Sequence, residues 1–308
     1  MKKLEILGLL FLSLGCQYDH HRAAVFQGNT GVVYGYDSRQ EAEKIAARLV
    51  QKLSPYSVAL FEKKDLVENG KWFEIASPTF GQSRKLCPEE RFFEQRTGAS
   101  CSGLLIDERH VLTAGHCVLT DEDCRNTALV MGYEQPLMLA SGYKVGPDQI
   151  FQCKKIVKAL RIEGDWDLHS NTRMGADFSI LELERPVTKP FKLPFNQEDN
   201  LQEGDSLFVI GYPAGLPKKY TSGTVVGNSK SSKYLAADLD TFGGNSGSPV
   251  FNGESGVLEG ILIDGAADYV TDPKRGCRIV NKCKDLGKNC EGEQVYKISR
   301  IRKYLQAL

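Results

Sequence analysis

Gly243-Gly244-Asn245-Ser246-Gly247-Ser248-Pro249 is the stretch that decides how this 308-residue chain is read. A serine flanked by glycines sits where the backbone can turn sharply and where another chain can come close, because glycine carries no Cβ and tolerates positive φ. Such a turn aims the backbone N–H groups of Gly244 and Ser246 at one point, as an anionic oxygen developing during acyl transfer requires. The plain alternative is a Gly-Ser connection between two strands. A serine hydroxyl is a weak nucleophile, so the chemical reading needs more. It needs a base beside the serine, an acid that holds the base in the right tautomer, and a pocket for a substrate side chain.

The chain has five histidines, His20, His21, His110, His116 and His169. His116 stands out by its setting, Leu112-Thr113-Ala114-Gly115-His116-Cys117, preceded by the apolar segment Cys101-Ser102-Gly103-Leu104-Leu105-Ile106. The acid candidate is Asp177, which opens Asp177-Phe178-Ser179-Ile180-Leu181-Glu182-Leu183 with its core-type strand residues. Asp165 and Asp167 are rivals, but no strand follows them and they lie among polar residues, as solvated turn residues do.

These three segments resemble the chymotrypsin-like serine peptidases, and Gly-Asn-Ser-Gly-Ser-Pro is most similar to the bacterial branch that includes the glutamyl endopeptidases. The resemblance runs from about residue 55 to the C-terminus and includes Gly211-Tyr212-Pro213 and Val295-Tyr296. It implies an all-β fold of two antiparallel β-barrels with a C-terminal helix and a cleft between the barrels. It also implies His116 as general base, Asp177 as its orienting acid, Ser246 as nucleophile, the Gly244 and Ser246 amides as oxyanion hole, and a Cys101–Cys117 disulfide. Substrate-binding positions carried over are Asp240, Thr241, Ile263 and Gly265. Asp240 lies six residues before Ser246, where trypsins keep the acid that favours Arg or Lys. Leu262 stands where glutamyl endopeptidases keep a histidine, and Asp264 would repel an acidic side chain.

Two departures matter. Asn245 replaces the aspartate that in animal trypsins pairs with a freed N-terminal amine. No Ile-Val-Gly-Gly precedes Cys101, although Val32-Val33-Tyr34-Gly35 resembles a mature start in the bacterial branch, with a cut near Gly31.

Composition agrees with an exported β protein. Lys+Arg and Asp+Glu both number 39, so net charge is zero and nothing calls for a nucleic-acid partner. Lys2 and Lys3 ahead of an apolar run from Ile6 to Leu14 read as a signal peptide, residues 1–15, too short for a membrane anchor. Leu14-Gly15-Cys16 resembles a lipobox, so Cys16 is a candidate for lipidation and membrane attachment. A secreted protein and an outer-membrane or periplasmic lipoprotein of a bacterium both remain open. Of nine cysteines, eight remain if Cys16 carries lipid, an even set that reads as disulfides in an exported chain. Zinc is the rival, without any C-x-x-C pair to support it. No catalytic metal or organic cofactor is called for.

Residues 16–54 read as a linker or pro-segment. Within it, Ser38–Leu53 has helical apolar spacing and a Ser38/Glu41 capping box. From Pro55 the texture becomes short strands between Gly, Pro, Asn and Asp, which suits a sandwich or closed barrels. The first barrel is expected over 55–195 and the second over 196–308. Val67–Arg96 reads as a polar insertion fastened through Cys87, and Ser299–Leu308 as a terminal helix capped by Ser299. The expected partner is a protein or peptide substrate. Two other functions fit the same residues: a binding module that has lost catalysis, and an esterase using the same triad.

Overall fold

The structure, a computed structural model, describes residues 32–162, 166–167, 172–173, 175–188, 193–228, 233–283, 290 and 292–308. Short runs rich in Val, Ile, Leu and Phe pair into two rings of six antiparallel strands. In the first ring the strands are β1 (Ser57–Glu62), β2 (Cys101–Leu105), β3 (His110–Thr113), β4 (Thr127–Val130), β5 (Ile150–Arg161) and β6 (Asp177–Leu183). Their order is β5-β6-β3-β2-β1-β4, closed by β4 on β5. The second ring holds β7 (Ser206–Gly211), β8 (Lys219–Asn228), β9 (Tyr234–Ala237), β10 (Pro249–Asn252), β11 (Leu258–Asp264) and β12 (Glu293–Lys297). Their order is β7-β10-β11-β12-β9-β8, closed by β8 on β7. Full closure removes the unpaired edges that an open sheet exposes.

Each ring fills its own interior, with Val58, Leu60, Val111, Leu129 and Leu181 in the first and Leu207, Val209, Leu235, Val250 and Val295 in the second. A third cluster lies where the barrels meet. Leu104, Leu112, Phe178 and Ile180 of the first pack with Phe208, Phe251, Ile261 and Tyr296 of the second. Phe178 stacks on Tyr296 with ring centroids 6.1 Å apart. Strand interiors that face both the barrel and its neighbour therefore carry apolar residues on both sides, as in β1, where only Glu62 is exposed.

The short strands expected after Pro55 are present. His110–Thr113, just ahead of His116, is a full strand, paired with both β2 and β6. The polar stretch after Val67 contains a hairpin, Leu66–Asn69 with Trp72–Ile75, and a helix Phe80–Arg84 capped by Thr79 and Gln82. Cys87 fastens it, as expected, and its partner is Cys277 on the second-barrel side. The other bridges are Cys101–Cys117, Cys124–Cys153 and Cys283–Cys290. All eight cysteines beyond Cys16 are thus disulfide-bonded, which leaves zinc no thiolate among them. The signal peptide, Cys16, the cut near Gly31 and Asp165 lie outside the described residues.

Two expectations need correction. Ser38–Leu53 is not one helix. Gln40–Glu41 pairs as a strand with Lys219–Tyr220, Ala42–Lys44 is a 3-10 turn, and only Arg48–Leu53 is α-helical. Local spacing favoured a helix, but a remote strand captures the backbone, and the Ser38 hydroxyl goes to Asp240 rather than to a cap. Within the segment read as a linker or pro-segment, Val32, Val33, Ala42 and Leu53 are buried against the body. Finally, the C-terminal helix is short, Arg302–Leu305 after a 3-10 turn Ile298–Arg300, and Ser299 does not cap it; Ile301 holds that position.

Candidate active site

His116 follows strand β3 at the point where Gly115 presses against β5 and β6. A Cβ on Gly115 would sit 2.3 Å from the Leu160 carbonyl oxygen, so only glycine lets the turn approach this closely. Asp177, first residue of β6, then meets His116 twice. The His116 backbone N–H donates to Asp177 Oδ1 at 2.9 Å, and His116 Nδ1 lies 2.7 Å from Oδ2. Two contacts from one carboxylate fix both the backbone and the ring. A carboxylate only accepts, so the ring carries its proton on Nδ1, and Nε2 is left with a free lone pair.

Ser246 comes from the second barrel. Gly244 and Gly247 around it have φ of +98° and +83°. A Cβ on Gly247 would lie 2.2 Å from the Ser102 carbonyl oxygen, so the loop is both left-handed there and pressed against the first barrel. Ser102 acts as the staple between the barrels. Its N–H donates to Ser246 O at 2.9 Å, its hydroxyl donates to Gly244 O at 2.7 Å, and that hydroxyl accepts from Tyr212 N–H at 3.0 Å. The amides of Gly243, Asn245, Gly247 and Ser248 bond to Asp268, Phe242 O, Leu262 O and Asn245 O. Those of Gly244 and Ser246 have no protein acceptor among the described residues.

His116, Asp177 and Ser246 line one cavity of about 920 Å³, together with Phe242, Leu262, Ile263, Asp264, Gly265, Asp268 and Glu293. That volume lies near the upper end of the range usual for ligand pockets, about 300–1,000 Å³. No hydrogen bond joins Ser246 to the imidazole among the described residues. Such bonds are often long without substrate and tighten once it is held.

The substrate-binding positions divide. Ile263 and Gly265 line the cavity. Asp240 and Thr241 do not, and Asp240 needs correction as a pocket acid. It is 2 % exposed and accepts from Tyr34 N–H at 2.8 Å, Ser38 N–H at 2.6 Å and Ser38 Oγ at 2.6 Å. Its carboxylate is thus consumed in holding the N-terminal segment, even though burial pushes its pKa up. Thr241 is fully buried and its hydroxyl donates to Glu293 Oε2. Asp240→Ala should leave two part-buried amides without their acceptor, at a cost of about 2 kcal/mol in unfolding free energy. Chemical denaturation measures the loss, and faster hydrogen exchange at Tyr34 and Ser38 locates it.

Ser102, Asp268 and Glu293 were not visible in the sequence. Ser102 lies inside the apolar segment 101–106 with nothing local to mark it, and the two acids reach the cavity from segments with no motif. All three acids of the lining other than Asp177 have their pKa values pushed up, chiefly by burial: Asp264, Asp268 and, most of all, Glu293.

Residues 101–261 match the family described as trypsin-like peptidase domain. Proteins described as probable periplasmic serine endoprotease DegP-like, from Brucella suis and Brucella abortus, are 26% identical over 238 residues, 70% of this chain. The chain spans 42% of their length. Among solved structures, human heparin binding protein aligns with a TM-score of 0.49 at 14% identity, over 89% of this chain and 96% of that one.

Proposed function

The chain belongs to the trypsin-like peptidase domain family, and on that premise we propose that it is an exported serine endopeptidase with His116, Asp177 and Ser246 as its triad. The observation that carries this reading is the His116–Asp177 pair, oriented by two bonds, in the same cavity as Ser246, whose own amide and that of Gly244 have no acceptor among the described residues. Ser246 Oγ attacks the scissile carbonyl carbon while His116 Nε2 takes its proton. The anionic oxygen is met by the Gly244 and Ser246 amides. His116 then returns the proton to the leaving amine, giving the acyl-enzyme. Water, deprotonated by His116, attacks the ester and releases the acid and Ser246. Asp177 stays ionised and stabilises the imidazolium.

Export is supported by four disulfides, which persist in oxidising compartments. The relatives' description as periplasmic points the same way. Lipidation at Cys16 is the further part of that reading, and mass spectrometry of the mature N-terminus tests it. The acidic lining supports cleavage after basic residues. For the activity itself, a fluorophosphonate probe should label Ser246 of the folded, processed protein, with loss of casein or peptide cleavage on labelling. Absence of labelling would overturn the peptidase. Labelling with turnover of esters but not peptides would make it an esterase.

A further inference from the structure

Glu293 opens β12 and is 2 % exposed, yet it lines the cavity that holds Ser246. Its carboxylate lies directly against the Cα of Gly265. A Cβ built on Gly265 would stand 2.1 Å from Oε2, 2.7 Å from Cδ and 2.8 Å from Oε1. Among the described residues two donors reach it, Thr241 Oγ1 to Oε2 and Tyr34 OH to Oε1 at 3.4 Å. A carboxylate offers about four acceptor sites, so roughly half of its capacity is unspent.

What surrounds it has the wrong sign. Burial, and after it the nearby Asp268 and Asp264, push its pKa well up, so its charged form lacks compensation and an added cation would be favoured. A buried carboxylate is normally matched by a cation. Arg161, which also lines the cavity, is exposed. Phe242, Leu262 and Ile263 add apolar wall. A long apolar stem with a cationic head satisfies both surfaces at once.

We propose that Glu293, reached past Gly265, is the residue that selects a basic substrate side chain, in place of Asp240. This rests on the peptidase reading for the identity of the substrate, but not for the existence of the cation site. Tyr34 and Thr241 are positioning residues that hold the carboxylate. Asp240 acts one step further back, through the Tyr34 segment.

Calorimetric titration with the aryl amidinium benzamidine tests the site without needing turnover. Wild type and Ser246→Ala should bind it alike, and Glu293→Gln should bind it about 10–100-fold more weakly. Gly265→Val forces the carboxylate aside without removing its charge and should lose binding similarly, which decides the matter if Glu293→Gln does not fold. Unchanged binding in the folded variants, or no binding by wild type, overturns the proposal. Cleavage that requires Ser246 but prefers neutral or acidic side chains also overturns it and leaves the peptidase standing. Glu293-dependent benzamidine binding without fluorophosphonate labelling upholds the cation site and overturns the peptidase instead.

Discussion

Ser246→Ala should lower kcat on a peptide substrate by about 10⁶-fold, close to 8 kcal/mol in barrier height, with the fold unchanged. The size follows from removing the atom that forms the acyl-enzyme in the proposed mechanism, while the hydroxyl contributes no hydrogen bond among the described residues. Ser102 N–H and Ser102 Oγ bond the carbonyls of Ser246 and Gly244, so the loop keeps its shape when the side chain is shortened. His116→Ala should cost a similar factor, and the double variant little more, because the two act as one unit. Single-turnover kinetics with a chromogenic peptide measure all three. Losses that multiply, or a loss below about tenfold for Ser246→Ala, would contradict nucleophilic catalysis by this serine.

Asp177→Asn should reduce kcat by about 10⁴-fold. The amide is nearly the same shape, so the expected change in stability is small. What changes is the proton. Asp177 Oδ2 at 2.7 Å from Nδ1 keeps the ring protonated there, with Nε2 free to act as base. An asparagine that keeps its oxygen on the His116 backbone N–H turns its NH₂ toward Nδ1, which must then accept, and the ring proton moves to Nε2. The base is lost with every atom close to its old place. The same variant should slow fluorophosphonate labelling of Ser246 by a comparable factor, while circular dichroism and the denaturation midpoint stay near wild type. A large drop in stability with little loss of labelling rate would recast Asp177 as structural.

The strands were legible because each needs only local information: alternation or runs of apolar residues bounded by Gly, Pro, Asn and Asp. The His116 and Ser246 segments were legible because their glycines answer to backbone constraints that act within a few residues, as at Gly115 and Gly247. What failed was decided by distant partners. Ser38–Leu53 has the spacing of a helix, but Gln40–Glu41 is claimed by Lys219–Tyr220. Asp240 sits at the right offset from Ser246 to be a pocket acid, but offset along the chain does not say what else competes for a carboxylate. The amides of Tyr34 and Ser38 arrive from 206 and 202 residues away and take it. Glu293 had no signal at all. It becomes a cavity residue only because β11 and β12 pair, bringing Gly265 of the adjoining turn against it.

The Cys87–Cys277 bridge joins positions 190 residues apart, one in the insertion carried by the first barrel and one beyond β11 of the second. A cut in the connection between the barrels would therefore yield two polypeptides but a single particle. Such a nicked form would run as one band until reductant is added. Separation of the halves would demand that the contact between Phe178 and Tyr296 be lost and a sulfur–sulfur bond be reduced as well. If the protein is exported as proposed, damage to the chain and loss of the cleft become two different events.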